Sequence, residues 1–222
     1  NGTVSDNDVL KQAAITVDKE IVEPVDTKAL VQAAKEEAVK KEEEYFTSLV
    51  IADVNDYVNV RDLPSETDGE IVGKLYDNSV GHFIEEENGW YKITSGNCTG
   101  YVKGEYCVTG EDAIALAKEV GVRIATVNTT TLKVREEASQ ESSVLGLVPM
   151  ADELVVTEEL DGWVKVDIEE GFGYVSTDYV ELSTEFVEAE SKEEEEARLE
   201  KERRAREEAN AAAARTQASR GS

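Results

Sequence analysis

Histidine, cysteine and proline are scarce, with one His, two Cys and three Pro in 222 residues. A single histidine excludes a three-histidine zinc centre built from this chain's own side chains. His82 with Cys98 or Cys107 would make a nucleophilic pair only on paper, since no surrounding pattern marks such a site. No catalytic residue, metal or cofactor is therefore expected. Positive charge is also short: 23 Lys and Arg face 49 Asp and Glu, for a net charge of −26. Nucleic acid and anionic membrane surfaces both need a positive field, so both drop out as partners. Apolar runs such as Leu49 to Ala52 fall far short of the roughly 20 residues of a membrane-spanning helix. The sequence opens at Asn1 without a basic-then-apolar leader, which points to a processed or excised product.

What is present is unevenly spread. Residues 48–183 hold 27 acids against 9 bases, and both Trp and all eight Tyr lie between Tyr45 and Phe186. The packed part is the middle. Before it, 1–47 forms an extension whose Thr27 to Glu44 stretch reads as a helix, capped by Asp26 or Thr27, with Leu30, Ala34 and Ala38 stacked at spacing four. After it, 184–222 is rich in Ala, Glu, Lys and Arg. A helix is expected from about Glu185 to Ala214, with Glu194/Arg198, Glu200/Arg204 and Glu202/Arg206 as i, i+4 pairs. Its sizeable apolar residues are only Phe186, Val187 and Leu199, too few for the seam of a tight coiled coil, so a solvated spacer is expected. The Thr-Gln-Ala-Ser-Arg-Gly-Ser ending has the chemistry of a linker to a missing domain.

Self-comparison gives the architecture. Val58-Asn59-Val60-Arg61 aligns with Leu132-Lys133-Val134-Arg135 at an offset of 74. Ile71-Val72-Gly73, Gly89-Trp90-Tyr91-Lys92-Ile93, Gly100-Tyr101-Val102 and Tyr106 align with Val144-Leu145-Gly146, Gly162-Trp163-Val164-Lys165-Val166, Gly173-Tyr174-Val175 and Tyr179 at 73. The one-residue difference falls in the Pro64 to Gly69 loop, where surface connections tolerate it. Each copy alternates apolar and polar residues between turn signals, among them Asn88-Gly89, Asp161-Gly162 and Ser95-Gly96-Asn97. Five short strands in about 60 residues suit a small barrel too small to be very stable alone. The expected fold is mainly β: barrels over 48–109 and 122–183, joined by a helix over 110–121. Thr109 would cap that helix with Asp112 in the reciprocal position, Gly121 would end it in a left-handed turn, and Ile114 and Leu116 would pack on a barrel.

The order Leu/Val-x-Val-Arg, polar loop, apolar-apolar-Gly, Gly-Trp-x-Lys-Val, Gly-Tyr-Val resembles the bacterial SH3 domain, and it occurs twice. Two such domains followed by a charged helix and an Ala/Ser/Gly linker resemble the front of a secreted cell-wall peptidase of the NlpC type. In that family a papain-like cysteine peptidase follows the linker, and nothing in this chain matches it. The resemblance implies a non-catalytic, wall-associated targeting segment outside the cell that holds a peptidoglycan peptide or glycan. A regulatory module packing on a C-terminal peptidase domain and shaping its groove, or a non-enzymatic surface protein, are the alternatives. It also implies an aromatic and polar ligand groove, for which Tyr57, Tyr76, Tyr91 and Tyr106 are candidates in the first copy and Phe172 and Tyr179 in the second.

Several residues are open to two readings. For Trp90 and Trp163 strand packing outranks a ligand platform, and Tyr101 and Tyr174, which follow Gly in a strand, read as structural. For Arg61 and Arg135 a solvated salt bridge outranks a clamp on a ligand carboxylate. Glu85-Glu86-Glu87 and Glu169-Glu170 lack the spacing of a calcium loop and read as solvated turns. The acidic middle should repel wall phosphates, which favours peptide stems or neutral glycan. His82 reads as structural. Cys98 and Cys107, replaced by Gly171 and Val180 in the second copy, fit either a disulfide, which export would permit, or two small buried thiols.

Overall fold

The computed structural model describes residues 26–220. Helix α1 (Thr27–Thr47) begins where the Asp26 carboxylate accepts hydrogen bonds from the Lys28 and Ala29 amides, at 3.1 and 3.2 Å. Asp26 is thus its cap. Residues 27–41 are exposed throughout, and only the last turn carries a buried side chain, Phe46.

The first barrel follows as β1 (Leu49–Ala52), β2 (Tyr57–Arg61), β3 (Ile71–Tyr76), β4 (Val80–Glu87), β5 (Trp90–Ser95), β6 (Cys98–Lys103), a 3-10 turn over Gly104–Tyr106, and β7 (Cys107–Val108). Helix α2 (Glu111–Val120) leads to the second: β8 (Val122–Val127), β9 (Thr131–Arg135), β10 (Val144–Pro149), β11 (Glu153–Leu160), β12 (Trp163–Ile168), β13 (Gly171–Ser176), a 3-10 turn over Thr177–Tyr179, and β14 (Val180–Glu185). All pairings are antiparallel. The spatial order β3-β2-β6-β5-β4-β1-β7 recurs as β10-β9-β13-β12-β11-β8-β14. Even the irregularities repeat: the register shifts at Val60/Arg61 and Phe83/Glu85 return at Val144/Gly146 and Val156/Glu158. Each barrel thus has seven strands where the alternation predicts five. In the first copy the two added strands, β1 and β7, have four residues and two, too few for a period to show, while their counterparts β8 and β14 have six each.

Each barrel closes on its own β-branched core. Val50, Val58, Val60, Leu75, Ile93 and Val102 fill the first, and Val127, Leu132, Val134, Val164, Val166 and Val175 fill the second. Between β4 and β5, Asn88 and Gly89 both take positive φ, the twist a two-residue hairpin needs. A third cluster packs on the first barrel. Ala113 and Ala117 of α2, both fully buried, lie with Phe46, Leu49, Ile51 and Val80, and Ile114 and Leu116 pack at the margin, as predicted. The Phe46 ring meets Phe186 edge-on at 5.8 Å.

Three local expectations change. Gly110, at φ 65, caps α2 without a side-chain bond, and Thr109 does not. Gly121 is extended at φ −73; an added Cβ would lie 2.3 Å from Thr184 and 2.8 Å from Phe186, so close approach, not a left-handed turn, requires glycine there. The charged helix α3 starts at Lys192 and runs to Arg220, not from Glu185.

The residues before α3 do something the composition does not suggest. Leaving β14, the chain returns to the first barrel. The Val187 carbonyl accepts from the Val80 amide at 2.8 Å, and the Glu188 carboxylate accepts from the Gly96 amide. The Ala189 amide donates to Ser95 Oγ at 2.7 Å. Glu190 and Ser191 then form β15 (Glu190–Ser191), paired with Lys74 and Gly73 at the edge of β3. Ser191 and Glu194 form a reciprocal capping box that starts α3. Around it, Glu190 receives Tyr76 and Arg198, Asn97 donates to Glu194, and Lys74 pairs with Glu195. Glu194 therefore does not pair with Arg198, which turns to Glu190 and Glu202. Glu200/Arg204 forms as predicted. Among the described residues, no helix is long and apolar enough to cross a membrane.

Candidate functional site

In each barrel a groove opens beside the loop that follows the strand bearing Val-Arg. In the first it holds about 280 Å³ between Tyr57, Asn59 and Arg61 of β2, Glu66 of the loop, Trp90 at the start of β5, Lys103 at the end of β6 and Tyr106 of the 3-10 turn. In the second it holds about 320 Å³ between Thr131, Lys133 and Arg135 of β9, Gln140 of the loop, Trp163, Ser176 and Tyr179. The repeat therefore delivers an Arg, a Trp and a Tyr to the same place twice.

Each member has a physical reason to be there. Trp90 is buried and Trp163 half-buried, and each also lines its groove. Tyr106 and Tyr179 are exposed at 42% and 44%, high enough for a ligand to reach the ring. Arg61 Nη1 donates to the Gly69 carbonyl at 2.9 Å and Arg135 Nη1 to the Ser142 carbonyl at 2.8 Å. Neither arginine makes an ion pair among the described residues. The expectation of a solvated salt bridge is corrected: these are loop anchors, which use a strand-end guanidinium to fix the groove wall.

The two grooves differ in polarity. Tyr57 stands edge-on to Tyr76 at 5.9 Å, under the Lys74 ammonium at 4.5 Å from its ring centre. Lys103 pairs with Glu66 and Glu105 at 3.0 and 2.9 Å, and the hydrogen bonds to these carboxylates raise its pKa and hold it charged. The second groove offers Thr131 and Ser176 instead, and is plainer.

Of the eight aromatic candidates, Tyr57, Trp90 and Tyr106 converge in one groove and Trp163 and Tyr179 in the other. Tyr76 borders the first groove through Tyr57, but its hydroxyl donates to Glu190 at 3.1 Å. Tyr91 packs edge-on to Phe83 at 6.0 Å, lies within 3 Å of where a Cβ on Gly104 would sit, and lines neither groove. Phe172 lies elsewhere, under the Lys165 ammonium at 4.0 Å, beside β10. Asn59, Glu66 and Lys103 line the first groove and Lys133 and Gln140 the second, none of them marked by aromatic character. The loop position and the repeated Arg were the available signals.

Neither cysteine lines either groove. Cys98 and Cys107 are free thiols: Cys98 is buried and Cys107 half-buried against the first core. Burial raises both thiol pKa values, that of Cys107 to about 12. His82, half-buried in β4, has its Nε2 3.0 Å from the Tyr45 hydroxyl.

Residues 56–107 and 130–181 each match the family model described as the bacterial SH3 domain. The putative N-acetylmuramoyl-L-alanine amidase YrvJ of Bacillus subtilis (strain 168) is 27% identical over 124 residues, which cover 53% of this chain. The match spans only 24% of that relative's length. Among solved structures, NlpC2 and NlpC1 of Trichomonas vaginalis each align over 60% of this chain, at 14% identity and a TM-score of 0.26, and over 47% and 45% of their own chains. At that score the likeness carries no weight for function.

Proposed function

Proceeding from a chain that carries two bacterial SH3 domains in tandem, we propose that it is a peptidoglycan-binding and targeting segment of an exported cell-wall hydrolase. The bond-breaking chemistry would belong to another domain of the whole protein. The observation that carries this reading is the groove built twice from the same Arg, Trp and Tyr positions. The amidase named among its relatives supports the wall as the setting. The acidic surface directs the choice toward stem peptides or neutral glycan and away from phosphate polymers. Two weak grooves on one chain raise residence, because the second engages at an effective concentration on the order of millimolar.

Sedimentation of the intact chain with purified, insoluble peptidoglycan tests this. Enrichment over an equally acidic control is expected, with a strong loss when Tyr106→Ala and Tyr179→Ala are combined and a partial loss for either alone. An aromatic anchor of this type contributes about 2 kcal/mol to binding. No enrichment, or full retention by the double variant, overturns the proposal, as does release of muropeptides by the chain unaided.

A further inference from the structure

The face of the first barrel that receives Val187 to Ser191 has a counterpart in the second, and there it is open. In the first, a Cβ on Gly73 would lie 2.8 Å from the Glu190 carbonyl oxygen and 3.4 Å from the Ser191 Cα, because β15 fills that side. Gly146 is its repeat partner and sits at the same register step, opposite Val134 as Gly73 is opposite Val60. A Cβ on Gly146 would meet nothing within 4 Å. The strand that carries it, β10, is the terminal strand of its sheet, whereas β3 is covered by β15.

The hollow along β10 measures about 810 Å³. Leu145, Leu147 and Phe172 stand in it at 49%, 63% and 51% exposure. An apolar, unprotected edge of this kind is a template for another strand.

The groups that grip the acidic tail in the first barrel are changed in the second. Lys74, Ser95 and Asn97, which hold Glu195, Ala189 and Glu194, become Leu147, Ile168 and Glu170. Cys98 becomes Gly171, which leaves room. Asp152, Asp167, Glu169 and Glu170 rim the hollow. The backbone acceptor is kept, the apolar floor is enlarged, and the sign of the charge readout is reversed.

We propose that β10 is the acceptor edge for an extended segment of a partner protein bearing apolar and Lys or Arg residues, added as a further antiparallel strand in the way β15 is added to β3. Backbone pairing would supply affinity, and the acidic rim with the Leu145, Leu147 and Phe172 floor would supply selectivity.

The probe is a synthetic peptide of residues 183–192 carrying Glu188→Lys and Glu190→Lys, with the unaltered peptide as control. Both are titrated into the isotopically labelled intact chain and followed by amide chemical shifts. The basic peptide is expected to shift residues 144–150 and 171–172 and to bind at least tenfold more tightly than the acidic one. Gly146→Val, whose side chain enters only the docking space, should abolish those shifts while the rest of the spectrum stays folded. Glu169→Gln with Glu170→Gln should narrow the preference for the basic peptide. Shifts confined to β3 and its neighbours, no binding, or indifference to Gly146→Val overturns the proposal. So does concentration-dependent dimerisation that Gly146→Val removes, since the occupant would then be a second copy.

Discussion

The two barrels share strand order, register shifts and groove, yet the apolar buttress lies on the first. Phe46, α2 and Phe186 close its flank, and Val187 to Ser191 close its edge, while the second barrel meets α1 through polar side chains, Arg123 and Thr184 on Glu42, and keeps β10 uncovered. Duplication fixes what a barrel needs, and the differences between copies mark what was added to it. The Arg, Trp and Tyr positions of the groove are shared by both copies, and the apolar buttress is specific to one.

The sharpest way to break this comparison is Phe46→Ala. Removing a fully buried ring should cost about 3–5 kcal/mol, and urea unfolding followed by Trp90 and Trp163 in single-tryptophan variants should place the loss in the first barrel. Next comes the glycine pair. Gly73→Val forces a side chain against Cys98 and the β15 backbone and should cost about 1–3 kcal/mol, whereas Gly146→Val should stay within about 0.5 kcal/mol. Equal costs at the two positions would erase the distinction between them.

Ser95→Ala takes away the hydroxyl that accepts from the Ala189 amide and donates to the Val80 carbonyl. Leaving those groups unpaired should cost about 1–3 kcal/mol, read as lost hydrogen-exchange protection at Ala189. A smaller effect is acid release of the tail. The Arg198 guanidinium, with the Tyr76 hydroxyl, holds the Glu190 carboxyl below its ordinary value, and the Ser191 amide with Asn97 does the same for Glu194. Both folded values lie below the unfolded one of about 4.3, so their contribution is complete above that pH and is lost as pH falls through the folded values. Protection at Ser191 should fade in that window before either barrel unfolds, and Glu194→Gln, which removes the titrating acceptor of that amide, should remove most of the pH dependence. Least of all, Cys107 should resist alkylation at pH 8, since burial keeps its thiol protonated.

Much of this was legible because it repeats. An offset of 73 brings Gly-Trp and Gly-Tyr-Val into register, and two copies of one alternation leave little freedom in strand order. The tail was not legible, because Val187 to Ser191 has no period of its own. Its extended shape comes from β3 and Ser95, some 95 to 120 positions earlier. The Ser191-Glu194 capping box was nevertheless present in the sequence as a start signal for α3. Gly121 shows the opposite limit: a glycine after a helix fits a left-handed stop or a tight approach, and only the Thr184 and Phe186 neighbours decide between them. Arg61 and Arg135 were visible as a repeat, but a loop carbonyl as their partner was not.

Because Ser191 completes a sheet begun at Leu49, the second barrel is in effect an insertion within the first. A nascent chain would have to emerge through β15 before the earlier barrel gains its last strand, so the later barrel can mature first. Proteolytic nicking between Glu185 and Lys192 would then unfasten the N-terminal barrel, leaving intact the one nearer the cut in sequence.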